Sequence, residues 1–199
     1  MTEASHQMAS NFLDSIRKPG SVGKPAGPEI ALIKNNKLIT TKNTVGEIVI
    51  KGANVTKGYK NNEKANEENF FNGWFKTGDL GKFDEDGFLF ISGRIKEIIN
   101  KGGEKISPQE VDEALMKHDA VFQAVCFSMK HEKLGEDIAA AVVLKDGSTV
   151  DEKDLRTHLS KSITTFKIPR QILILNEIPK GNTGKIQRIG LAKKLGLEQ

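Results

Sequence analysis

A chain of 199 residues has room for one domain or two small ones. Hydrophobic residues at 37% and charged residues at 28% are ordinary globular proportions, with enough apolar mass for a core and no repeat or low-complexity tract. The net charge of +4 comes from 30 Lys+Arg interleaved with 26 Asp+Glu, a solvated mixed surface that argues against a nucleic-acid partner. No run approaches eighteen apolar residues, so no membrane-spanning helix is expected. The single cysteine, Cys126, lies in the apolar run AVCF, which excludes a disulfide framework or thiolate metal cluster and reads as a small buried hydrophobe. With no signal-peptide pattern and no SKL-type ending, the expected compartment is the cytosol. The sequence carries no signal of oligomeric state.

Residues 1–19 are polar and irregular, and taken alone they read as a frayed end. Residues 28–33 and 46–50 read as strands, with Asn35-Asn36 as the turn between them. The charged stretch 60–69 reads as a surface loop or short helix. Phe70, Phe71, Trp74 and Phe75 crowd around Gly73; base stacking is conceivable, but packing of a small β subdomain fits such large aromatics better. Thr77-Gly78-Asp79-Leu80 reads as a Gly-Asp corner between two strands, with the carboxylate at an exposed loop tip. A carboxylate there can accept two hydroxyl hydrogens at once, as a vicinal diol requires. Asp86-Gly87 is a hairpin turn between 81–84 and 88–92.

SGRIKEIINKGGEKISPQEVD, residues 92–112, reads as extended chain, a glycine turn at Gly102-Gly103 and a helix opened by Ser107-Pro108-x-Glu110. Val111, Ala114 and Leu115 follow at helical spacing. Residues 121–129 and 137–144 are apolar runs joined by a polar loop and read as a pair of antiparallel strands. Asp146-Gly147 turns the chain, and Thr149 or Asp151 caps a helix reaching about Ser162. A strand at 170–175 and a short basic helix at 189–195 complete a compact domain of about 100 residues. Between them, residues 179–185 form a polar glycine loop. Its GNTGK fails the P-loop pattern, because the glycine spacing is short and Ile186 stands where a magnesium-binding Ser/Thr belongs.

Four segments in order, MTEAS at 1–5, GWFKTGDLG at 73–81, the stretch at 92–112 and PKGNTGKIQR at 179–188, resemble the adenylate-forming superfamily of acyl-CoA synthetases, peptide synthetase adenylation domains and luciferases. The resemblance implies an α+β fold: a β-rich tail of the large AMP-binding domain over 1–94 and a mobile C-terminal domain over 95–199. It implies that Thr2 touches the adenylate phosphate, Glu3 helps hold Mg²⁺, Asp79 binds the ribose diol and Arg94 lies near the nucleotide. Lys96 would be the hinge, Gly102 and Gly103 would line the path of coenzyme A, and Lys185 would be the catalytic cation of adenylation. The implied reaction joins a small-molecule carboxylate, a small dicarboxylate such as oxalate or an aryl or acyl acid, to ATP, releases pyrophosphate, and passes the acyl group to coenzyme A with release of AMP. TEASHQMASN, SVGKP and NVTKGYKNN resemble oxalate–CoA ligases and their 4-coumarate–CoA ligase relatives, in which His6 would face the acyl group. The superfamily's Ser/Thr/Gly-rich phosphate loop is not in the sequence, so a fragment inactive by itself is expected. A non-catalytic binding module, a peptide synthetase adenylation domain and a fatty acyl-CoA synthetase are the alternatives.

Overall fold

The computed structural model describes residues 1–14, 16–181 and 184–198. Asn182 and Thr183 of the PKGNTGKIQR loop therefore lie outside the described residues. The chain divides into two units, Met1–Lys96 and Glu97–Gln199. Both mix strands and short helices in an α+β arrangement.

In the first unit, β1 (Ala9–Ser10) pairs with β2 (Lys24–Pro25) as a small ribbon. An antiparallel sheet runs in the order β4 (Lys37–Ile39), β3 (Glu29–Lys34), β5 (Gly46–Lys51), β7 (Trp74–Phe83), β6 (Phe70–Phe71), and β8 (Leu89–Arg94) pairs with β7. Asn35 and Asn36 both take positive φ, 51° and 55°, the twist that matches a two-residue hairpin. That turn leads into β4, an unexpected strand, and not directly into β5. Asn72-Gly73 makes a second such turn, between β6 and β7. Two of the four aromatics at this turn are core material: Phe70 and Phe75 meet edge to face at 5.3 Å, and Tyr59 joins them at 6.4 Å from Phe75, while Phe71 and Trp74 stay half-buried. The charged stretch before them forms α1 (Glu63–Asn69), capped by the Asn62 side chain, which accepts from the Ala65 N–H.

The chain start is held rather than frayed. Thr2–Ala4 form a single 3₁₀ turn, and Ala4 is fully buried beside Ile50 and Phe75. The Asn54 side chain donates to the carbonyls of Ala4 and Gln7, so the N-terminal segment is strapped to the β5–α1 connection. Gly23 permits the tightest approach: at φ +93° a Cβ there would meet the Ser10 backbone at 2.0 Å.

In the second unit, β12 (Gly135–Leu144) is the central strand. It pairs antiparallel with β11 (Val121–His131) on one edge, and with β13 (Gln171–Ile174, parallel) and the end of β9 (Ile99–Lys101) on the other. β9 forms a hairpin with β10 (Glu104–Ile106) across Gly102-Gly103. The stretch expected as extended chain, turn and helix is thus a two-stranded hairpin running into α2 (Pro108–Met116). Alternate residues of the central pair face two cores. Ala124, Cys126, Ile138, Ala140 and Val142 join Leu115 of α2 and Leu155 and Leu159 of α3 (Glu152–Leu159). Val125, Phe127, Ala139 and Ala141 join Ile178 and α4 (Leu191–Lys194). The continuous apolar run of β12 follows from burial on both faces. Asp151, the second of the two expected caps, opens α3: it accepts from the Asp154 N–H at 2.8 Å, and Asp154 returns the bond to the Asp151 N–H at 3.2 Å.

Two substitutions test these local readings. Gly23→Ala adds backbone strain of roughly 1–3 kcal/mol to the clash with Ser10, so the urea transition followed by Trp74 fluorescence should move sharply lower. An unchanged Trp74 transition would contradict the close approach. Asp151→Ala should cost about 1 kcal/mol, read from the helix signal in circular dichroism, and no loss would mean the cap is idle.

Candidate functional site

Asp79 lies within β7 rather than at an exposed loop tip, which corrects the sequence expectation. The cause is an irregular strand. Gly78 takes φ +73°, and the pairing shifts register between Glu47 and Val49 on one side and between Leu80 and Gly81 on the other. Thr77 fixes the irregularity: its hydroxyl donates to the Ile48 carbonyl at 2.8 Å and accepts from the Asp79 N–H at 3.1 Å. Asp79 sits opposite Arg94 across β7 and β8, and Arg94 Nε lies 2.9 Å from Asp79 Oδ1. The carboxylate is mostly shielded while the guanidinium is mostly exposed, with side-chain exposures of 21% and 66%.

Asp79 also lines a cavity of about 220 Å³. His6 and Thr77 share its wall with Met8, Ile30, Ile50, Leu89 and other apolar side chains. His6 reaches this wall through a left-handed turn, with φ +46° at Ser5 and +76° at His6. The structure therefore brings His6, the expected acyl contact, onto the same cavity as Asp79, the expected ribose ligand. Thr2 and Glu3 are not on that wall. Thr2 is exposed, and one Glu3 oxygen accepts from the Tyr59 hydroxyl at 3.2 Å. Burial, with the Glu3 charge, raises the Tyr59 phenol above its ordinary range. Among the described residues no three His, Cys, Asp or Glu side chains cluster as metal ligands, so Glu3 offers a single hard oxygen donor.

The remaining candidates lie at or beyond the boundary between units. Lys96 is exposed in a 3₁₀ turn, Ile95–Glu97, whose last residue opens the second unit. Gly102 and Gly103 take φ +60° and +95° at the β9–β10 turn. This turn is held from three sides. The Gly102 N–H donates to the Leu134 carbonyl at 3.0 Å, the Gly103 N–H donates to Asn100 Oδ1 at 3.1 Å, and Lys101 Nζ lies 2.7 Å from the buried Asp137 Oδ1. Burial works against the Asp137 charge, but Lys101 and the Ile138 N–H outweigh it and hold the carboxyl below its usual range. Lys185 is exposed at the end of a tight loop, where the Gly181 N–H donates to the Lys185 carbonyl at 2.8 Å. No hydrogen bond or ion pair joins Lys185 to Gly102 or Gly103 among the described residues.

Sequence reasoning missed a cluster in the second unit. The Arg188 guanidinium donates to Glu97 Oε2 at 3.0 Å, to the Cys126 carbonyl at 2.8 Å and to Asp112 Oδ2 at 2.6 Å. The other Asp112 oxygen accepts from the Cys126 N–H at 2.5 Å. Burial pushes the Asp112 carboxyl up to about 6, against the pull of Arg188 and the Cys126 N–H. The available signal was the position of Asp112: beside Val111 and three residues before Leu115, it falls on the buried face of α2. A carboxylate there requires a partner.

With this geometry in view, residues 110–185 match the family described as the AMP-binding enzyme C-terminal domain. The chain is 51% identical over 190 residues to an oxalate–CoA ligase of Arabidopsis thaliana, covering 94% of this chain and 37% of that protein. It is 46% identical over 196 residues to an oxalate–CoA ligase of Saccharomyces cerevisiae, covering 97% of this chain and 36% of that protein. Among solved structures, ATP-bound MatB from Rhodopseudomonas palustris superposes with a TM-score of 0.87 at 31% identity, over 96% of this chain and 39% of that one. An AMP complex of o-succinylbenzoate coenzyme A synthetase from Bacillus subtilis gives 0.83 at 36% identity, over 95% and 39%. The chain spans less than two fifths of the length of these two oxalate–CoA ligases. In fold and in sequence, the chain belongs to the adenylate-forming, AMP-binding superfamily, and it carries that superfamily's C-terminal domain.

Proposed function

We propose that the chain is the C-terminal part of an ATP-dependent acid–CoA ligase acting on a small acid with a second anionic group, oxalate being the leading case. The observation that carries this reading is the 51% identity to a plant oxalate–CoA ligase along 94% of the chain. Other relatives bear the names sulfoacetate–CoA ligase and 2-succinylbenzoate–CoA ligase, and their named acids share a second anionic group. His6 on the cavity wall supports the same reading, since an imidazole can donate a hydrogen bond to an acid.

The chemistry divides into two half-reactions. A carboxylate oxygen of the acid attacks the α-phosphorus of ATP, and the bond to pyrophosphate breaks. The coenzyme A thiolate then attacks the acyl carbon, and AMP leaves. Asp79, held by Thr77 and Arg94, would accept the ribose hydroxyls. Lys185 would place its ammonium against the charge that develops as pyrophosphate leaves. Lys96 would absorb the rotation that withdraws Lys185 and presents Gly102-Gly103 to the coenzyme A thiol. Thr2 would contact the phosphate. Glu3 would contribute one oxygen to Mg²⁺, which when bound offsets phosphate charge. A lone buried Cys126 thiol needs no oxidising compartment, which supports the cytosol as its place of work.

By itself the 199-residue chain should release no pyrophosphate from ATP and oxalate, and clear turnover would contradict the reading of it as part of a longer enzyme. In the complete ligase, Lys185→Ala should slow carboxylate-dependent pyrophosphate release about 100- to 1,000-fold. Coenzyme A transfer from supplied acyl-adenylate should stay nearly unchanged. Gly103→Val should do the reverse: a Cβ there meets nothing within 4 Å, so the cost falls on the strained turn and on whatever approaches it. Equal slowing of both half-reactions in both variants would mean one fixed site.

A further inference from the structure

We propose that Arg188 is a positioning residue for Lys185, anchoring the C-terminal loop to α2, β11 and the turn that follows Lys96. The inference rests on the adenylation role proposed for Lys185. The bonds within the loop, from the Gly181 N–H to the Lys185 carbonyl and from the Gly184 N–H to the Gly181 carbonyl, join its described residues to one another and not to another element. Attachment comes from the flanking residues, with Ile178 buried in the Phe127 core before the loop. Ile186 packs against the Phe127 core, and Arg188 reaches three acceptors on three separate segments. Ile186 and Arg188 are half-buried while Lys185 and Gln187 are exposed, an alternation of period two. With Arg188 fixed inward, Lys185 is fixed outward.

The chemistry of the anchor calls for arginine. One guanidinium meets two carboxylates and a carbonyl at once, using Nε and both terminal nitrogens. All three charged side chains are largely shielded, with exposures of 21% for Arg188, 26% for Glu97 and 13% for Asp112. Glu97 directly follows Lys96, so the same guanidinium that sets Lys185 also holds the first residue of the second unit. A lysine at this position carries the charge but cannot span the three acceptors.

The test has two arms. In the 199-residue chain, amide exchange followed by NMR should show protection at Gly181 falling roughly tenfold in Arg188→Gln, with β11 and β12 unchanged. Because that variant strands the Asp112 carboxylate, the double variant Asp112→Asn/Arg188→Gln removes the guanidinium together with the more deeply buried of its two carboxylate partners, leaving only the Glu97 charge, which is 26% exposed. It should lose Gly181 protection equally. Unchanged protection in the double variant overturns the anchor whatever the protein's activity. In the complete ligase, the double variant and Arg188→Lys should each slow pyrophosphate release by up to about 100-fold, the cost of a misplaced catalytic group. Both should transfer acyl groups from supplied adenylate at near the parent rate. Full rescue by Arg188→Lys, or equal slowing of both half-reactions, overturns the positioning role. A parent enzyme that makes no adenylate overturns the ligase reading instead, and the exchange arm still judges the anchor.

Discussion

A strand buried on both faces constrains everything in the second unit. β12 contributes Ile138, Ala140 and Val142 to one core and Ala139 and Ala141 to the other, all fully buried. Its edges are occupied by β11, β13 and the end of β9. No face of that strand is left for a ligand, so chemistry must sit on the turns and loops around it. The Gly102-Gly103 turn and the Lys185 loop, the places proposed for coenzyme A and for adenylation, lie among them. Each is tied back by charge: Lys101 to Asp137 for the turn, and Arg188 to Asp112 and Glu97 for the segment after the lysine. The alanine-rich middle of β12 keeps the strand thin, and α2 and α3 pack on one side of it.

The first unit solves a different problem. An antiparallel sheet can present one face to a ligand, but a regular strand projects alternate residues rigidly to either side. Gly78 with positive φ breaks that regularity, and Thr77 bridges the break to β5. The result holds a carboxylate beside an apolar cavity without burying it unpaired, because Arg94 lies opposite. His6 arrives on the same cavity from the far end of the unit's sequence, carried by two left-handed residues and strapped by Asn54.

Much of the fold was legible because local signals agreed with tertiary demands. The apolar runs of β11 and β12, Asp86-Gly87, the Pro108 helix start and burial of Cys126 all follow from composition and turn chemistry. β4 was missed because Leu38 and Ile39 are too few to form a pattern of their own; pairing with β3 makes them a strand. Asp79 was expected at a loop tip because Gly-Asp usually marks a turn, and only the neighbouring strands make it an irregularity within β7. The Arg188 cluster was hidden by distance: Glu97 and Arg188 lie 91 positions apart, and no local rule pairs them. The chain start looked frayed because its anchors, Asn54 and Tyr59, come some fifty residues later.

The central claim is that these residues serve chemistry passing through an acyl-adenylate, and the fate of one oxygen tests it most directly. The complete ligase would be supplied with ¹⁸O-labelled oxalate, ATP and coenzyme A, and the products examined by mass spectrometry. Attack of the acid on the α-phosphorus leaves an oxygen of the acid on AMP when the thiol displaces it. One ¹⁸O should appear in AMP per turnover and none in pyrophosphate. Label in pyrophosphate or inorganic phosphate, or AMP free of label while the thioester forms, would contradict it.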